Sequence, residues 1–126
     1  MITRTESGER DYPILYLRHG FPEAFKVFFF EYYPELFSFS QMLLQHRAIA
    51  RQVTVEAFFL LWEKRTGFDS ARSIKAFLYL AIRNKCLQEL RTPASETDTL
   101  PLTEGAPDSL PPELLRELFA FAAKTA

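Results

Sequence analysis

Between residues 25 and 43 the chain places Phe25, Phe28, Phe29, Tyr32, Leu36, Phe39 and Leu43 three or four apart. That is the period of an α-helix with one apolar face, and no alternating strand pattern rises above it. Rings on such a face must be buried against other apolar surface, so this helix needs partners. Pro22, with Glu23 beside it, marks its start. Pro34 lies inside the run without a backbone donor, and is expected to kink or divide the helix.

The rest of the chain supplies the partners. A short helix is expected from about Tyr12 to His19, ended by Gly20. After a break near His46, a further helix carries Ala50, Val53, Ala57, Phe58, Leu61 and Trp62 as its stripe, with Arg51, Gln52, Glu56 and Glu63 mostly off it. Residues 64–73, "KRTGFDSARS", read as a connecting loop. The next helix starts near Ser73, a good N-cap, and runs to about Arg91, before Pro93. Its first half is apolar almost all round and so expects burial, yet it then sets Arg83, Asn84 and Lys85 side by side. Residues 92–112 are an acidic Pro/Ser/Thr-rich linker, and 113–126 a short helix with Leu114, Leu118 and Phe121 as apolar positions. The fold class is therefore all-α. A tail (1–11) precedes a small bundle of three to four core helices (12–91), then the linker and the short C-terminal helix.

A chain of 126 residues with 48% hydrophobic and 15% aromatic content can bury one core built on Phe and Tyr. The single cysteine, Cys86, excludes an internal disulfide and fits a reducing compartment. No apolar stretch approaches the roughly 20 residues of a membrane span, and the polar N-terminus has no signal-peptide core; a cytoplasmic location is expected. Charge is uneven. Residues 64–91 carry seven Lys or Arg against Asp69 and Glu89, net +5, whereas 92–126 carry Arg116 and Lys124 against six acids, net −4. A basic segment points to an anionic partner; the competing reading is solvated helix faces. No metal-ligand cluster is apparent, four glycines build no phosphate loop, and Cys86 is distant in sequence from His19 and His46. The expectation is no enzyme, no metal and no cofactor.

Three blocks stand in order: "GFPEAFKVFFFEYYPELFSF" (20–39), "VEAFFLLWEKRTGFD" (55–69) and "SIKAFLYLAIRNKCLQELR" (73–91). Together they resemble region 2 of the extracytoplasmic-function (ECF) sigma factors of bacterial RNA polymerase. Family members show "YYP", then "EVFLRLW", then "KAWLYTIARN". The resemblance covers about Ile14 to Arg91 and implies an all-helical region 2 domain. One helix would dock on the clamp coiled coil of the largest subunit of core RNA polymerase. On that helix the resemblance places Arg51, Gln52, Val55, Glu56 and Phe59. The last helix and the loop before it would engage the promoter −10 element, help melt it and capture an extruded non-template base. Such reading needs a pocket, a hydrogen-bonding edge and cations on neighbouring phosphates. Phe68, Asp69 and Ser73 belong to the pocket segment. Asn84 matches the family Asn and can both donate and accept. Arg65, Arg72, Lys75 and Arg83 could hold phosphates. Ile74 and Phe77 match apolar positions near the melted strand, with core packing as their competing role; for Asn84 the competing role is capping or plain exposure. Trp62 reads as an aromatic anchor beneath the stripe. The resemblance also leaves room for an anti-sigma factor.

The sequence departs from the family at three places. Where the family has a run like "AEDIVQEVF", this chain has "ARQVTVEAF": Arg51 and Gln52 replace acids, Val55 replaces a common Gln, and Glu56 remains. This inverts the electrostatic complement of the docking face. At the end of the last helix the family often has an acid and an aromatic followed by a basic run; "QELRTPASETD" has Gln88 and Glu89 and then acids, which weakens DNA affinity. Finally, "DSLPPELLRELFAFAAK" resembles the start of region 4, the second helical domain, before the sequence stops. This is either a truncated form or a single-domain relative. Two functions follow: a promoter-opening sigma module, or a degenerate sigma-like interaction module that binds a regulator. As a third possibility, residues 113–124 fold back on the apolar face meant for a partner, and the acidic tail screens the basic segment.

Overall fold

The computed structural model describes residues 13–91 and 106–125. The expected N-terminal tail, Pro93 and most of the expected linker lie outside the described residues. Helix α1 (13–18) is followed by α2 (Pro22–Leu44), α3 (Arg47–Glu63), a 3₁₀ turn (Arg65–Gly67), α4 (Ala71–Arg91) and α5 (Pro112–Thr125). The described residues contain no strand. The all-α expectation holds.

Gly20 ends α1 at φ +88°, and Pro22 opens α2 at its first position. α2 then runs unbroken through Pro34, so that proline does not divide it. An interior proline costs about 3 kcal/mol. Here Pro34 faces solvent, while Tyr32, Tyr33, Leu36 and Phe37 on either side of it are buried. Each such side chain gains roughly 1.5–3 kcal/mol on burial, which outweighs the missing bond.

The α2 face meets α3 through rings. Phe58 lies 4.7 Å from Phe29 and 6.2 Å from Tyr33, centroid to centroid. Trp62 closes the lower end against Phe25 at 5.5 Å. At the upper end the Ala50 carbonyl accepts from Ser40 Oγ (3.3 Å) and Thr54 Oγ1 (2.7 Å), which satisfies both of these buried hydroxyls. The expected core position Leu43 is instead partly exposed, because the chain turns there.

That turn rests on Gln45, in the left-handed region at φ 54°, whose N–H donates to the Gln41 carbonyl at 2.7 Å. His46 then caps α3, accepting at Nδ1 from the Ile49 N–H. A side chain in the left-handed region costs about 1–2 kcal/mol that glycine avoids, less glycine's own entropic cost of roughly 0.5–1 kcal/mol. Gln45→Gly is therefore expected to stabilise the fold by up to about 1 kcal/mol. A denaturation midpoint equal to or below the parent's would contradict this.

The N-cap of α4 lies three residues earlier than the sequence suggests. Ser70, not Ser73, is the cap: its Oγ accepts from the Ser73 N–H (3.1 Å), while Ser73 Oγ donates back to the Ser70 carbonyl (2.8 Å). Nor is α4 buried all round. Only Ile74, Leu78, Ile82 and Cys86 are buried, a single line of residues four apart. Leu80 and Leu90 stay more than half exposed, at 55% and 61%. With only α2 and α3 to pack on, one stripe is all that α4 can bury. Cys86 is in contact with Ser40 Oγ at 3.6 Å, and burial pushes its thiol up. It behaves as a small apolar residue rather than as a nucleophile.

α5 folds back against α2 and α3, burying Leu114, Leu118 and Ala122. The segment before it is fixed by Trp62 Nε1, which donates to Ser109 Oγ at 2.7 Å, and by the buried Leu110. Trp62 is thus the expected anchor, and it joins three parts of the chain.

Candidate nucleic-acid and polymerase interface

Burying one stripe leaves α4 with two exposed flanks. On the α3 side a cleft of about 280 Å³ is lined by Leu60, Lys64, Phe77, Leu80, Asn84 and Lys85. Asn84 is exposed and has no side-chain partner among the described residues. Phe77 is half-buried, its ring 5.1 Å from that of Phe68. The loop thereby leans on α4 through an aromatic pair, and Asn84 lies two turns further along. Asp69 is exposed beside Phe68. Ile74 is fully buried, which leaves it a core role only.

On the α2 side a larger cleft of about 610 Å³ is lined by Glu31, Tyr32, Glu35, Arg72, Lys75 and Tyr79. Here one carboxylate organises the wall. Glu35 Oε2 accepts from Tyr79 Oη (2.6 Å) and pairs with Lys75 Nζ (3.1 Å). The Tyr79 bond and then Lys75 hold the Glu35 carboxyl below the usual range. Burial, then Glu35, pushes the Tyr79 phenol up to about 12.

The candidate phosphate-binding cations therefore differ. Arg72 and Arg83 are exposed and unpaired among the described residues. Lys75 is neutralised by Glu35. Arg65 is built into the fold: its Nη1 donates to the Trp62 carbonyl at 2.8 Å and its guanidinium lies 4.2 Å over the Trp62 ring. Ser73 is engaged in the helix cap. Exposed Lys64, which sequence reasoning left out of the site, joins the cleft beside Asn84. Its one signal in the sequence was its place at the start of the basic 64–91 segment, seven residues before α4 begins.

On α3 the candidate docking residues separate as well. Val55 is fully buried and Phe59 is 4% exposed, its ring 6.3 Å from Phe119 of α5. Glu56 is held by Lys85 Nζ (3.4 Å) and by Gln52 Nε2 (3.1 Å), on the α4 side. Arg51 is half-buried, with its Nε buried and without a hydrogen bond. Its charge reaches the equally unsatisfied Tyr33 hydroxyl; burial raises that phenol well above its usual range, against the pull of Arg51.

The family model for sigma-70 region 2 matches residues 28–95, from α2 through the whole of α3, the loop and α4. The chain belongs to the sigma-70 region 2 family. No curated protein and no solved structure matches it. Membership gives a sigma-factor-like role in transcription initiation, a non-enzymatic one, and implies core RNA polymerase and promoter DNA as interacting partners. Both α4 flanks and the α3 candidates fall inside the matched segment; α5 falls outside it. No helix among the described residues is long and apolar enough to cross a membrane.

Proposed function

We propose that this chain is the region 2 module of an ECF-type sigma factor, which binds core RNA polymerase through α3 and reads and opens the −10 element with α4 and the 65–70 segment before it. The observation that carries this reading is Asn84. It stands exposed and unpartnered at a cleft beside Phe77 and Lys64, with Arg83 next to it in sequence. A flipped base needs an aromatic or apolar wall to stack on and one group able to donate and accept at its edge. Cations beside that edge hold the strand in register without reading it.

The test uses core RNA polymerase and a pool of single-stranded DNA randomised across six positions. Core polymerase is expected to co-purify with the chain, and the complex to enrich one base at one position. Asn84→Ala is expected to reduce that preference up to about tenfold, the worth of one or two hydrogen bonds, with overall affinity nearly kept. An unchanged preference would remove Asn84 from the reading.

A second reading, a sigma-like module that binds a regulator instead, is favoured by Arg51, half-buried where the family pattern has an acid. Failure to co-purify with core polymerase under any condition would favour it over the first.

A further inference from the structure

We infer that α5 is a mask bound in cis on the polymerase-docking face of α3, and that this face must shed α5 before a partner helix can dock. The inference rests on the proposed docking role of α3. The resemblance puts Val55 and Phe59, one turn apart, on the docking helix; yet both are buried. The ring of Phe119 covers Phe59 at 6.3 Å, while Phe121 stands 4.7 Å from Phe30 and 6.1 Å from Tyr33 on the adjoining strip of α2. An exposed ion pair, Lys26 Nζ to Glu117 Oε1 at 2.8 Å, adds orientation. An amphipathic helix carrying a carboxylate is thus what this surface accepts, and α5 is the one in place.

Three features make α5 separable from the core beneath it. It lies outside residues 28–95, which span the family's own unit. It buries only Leu114, Leu118 and Ala122, leaving Leu115, Phe119 and Phe121 half-exposed. Its polar attachments are an exposed ion pair and the Trp62–Ser109 bond. Arg51 fits the same picture. Where an acid would face a polymerase cation, Arg51 instead lies near Tyr33, which is in ring contact with Phe121. The docking face is thereby adjusted to its own chain.

The experiment compares the full chain with Phe119→Ser/Phe121→Ser, reading amide hydrogen exchange over residues 51–59 and 112–125 together with binding of labelled chain to core RNA polymerase. The double variant is expected to speed exchange in both segments at least tenfold and to tighten polymerase binding about fivefold. A charge swap guards against misfolding: Lys26→Glu is expected to shift both readouts the same way, and Lys26→Glu/Glu117→Lys to restore both. If exchange rises while polymerase binding stays equal or weakens, the mask is overturned and the docking role stands. If exchange over 51–59 does not change, α5 is no cover and the inference falls. If neither the native nor the released chain binds polymerase, the docking role itself fails and takes the mask with it.

Discussion

Phe58→Ala is expected to destabilise the fold by about 3–5 kcal/mol, the cost of emptying a fully packed aromatic site. Phe58 is entirely buried, and three rings of α2 converge on it: Phe29 at 4.7 Å, Tyr33 at 6.2 Å and Phe25 at 6.4 Å. Collapse of the hole is resisted from two sides. Ser40 fixes the upper α2–α3 contact through the Ala50 carbonyl, and Trp62 fixes the lower one. The surrounding helices therefore keep their separation and the lost contacts are not recovered. Domains of this kind are stable by roughly 5–15 kcal/mol, so the variant sits near the edge of folding. Phe58→Leu, which keeps most of the volume, is expected to cost less than half as much. Urea denaturation can be followed by the fluorescence of Trp62, the one tryptophan of the chain. A loss under about 1 kcal/mol for Phe58→Ala would show that this ring cluster is not the keystone of the α2–α3 contact.

The same aromatic junction explains why so much of the fold was legible. Rings three and four apart in α2 and α3 leave no alternative to two helices packed face to face, and Gly20, Pro22 and His46 mark their ends. Errors arose where local rules compete. Ser70 and Ser73 are equally good caps three residues apart, and the choice was made by Ser70 reaching the Ser73 amide. The apolar run of α4 suggested full burial, but hydrophobicity says nothing of how many neighbours are available to cover a helix. Pro34 reads as a kink or a division of the helix, because the packing on either side of it is not a local property. For the candidate site, residue identity was visible but availability was not. Asn84, Arg72 and Arg83 are exposed, whereas Lys75 is committed to Glu35, forty residues away in sequence, and Arg65 to the Trp62 carbonyl and ring. The amphipathic pattern of α5 was equally plain, but the face it covers depends on Phe119 meeting Phe59 across sixty residues.

That division between free and committed cations leads to the second large effect. Arg72 and Arg83 stand exposed and unpaired among the described residues, on the first and the fourth turn of α4. If each neutralises one phosphate of the melted strand, each contributes about 0.7 to the slope of log affinity against log salt. Arg72→Gln/Arg83→Gln is then expected to lower that slope by about 1.4, and to weaken binding of single-stranded promoter DNA by the polymerase complex on the order of tenfold near physiological salt. Base preference is expected to persist, because phosphate contacts position the strand and do not read it. Lys75→Gln supplies the control: its ammonium already faces Glu35, so the slope is expected to change by much less than 0.7. Asn84→Ala is the converse case, altering preference and leaving the slope in place. A pair of slopes in the opposite order, with Lys75→Gln lowering the salt dependence and Arg83→Gln alone leaving it unchanged, would place the strand in the α2-side cleft among Glu35, Arg72, Lys75 and Tyr79. It would also remove Asn84, on the opposite flank of α4, from the path of the DNA.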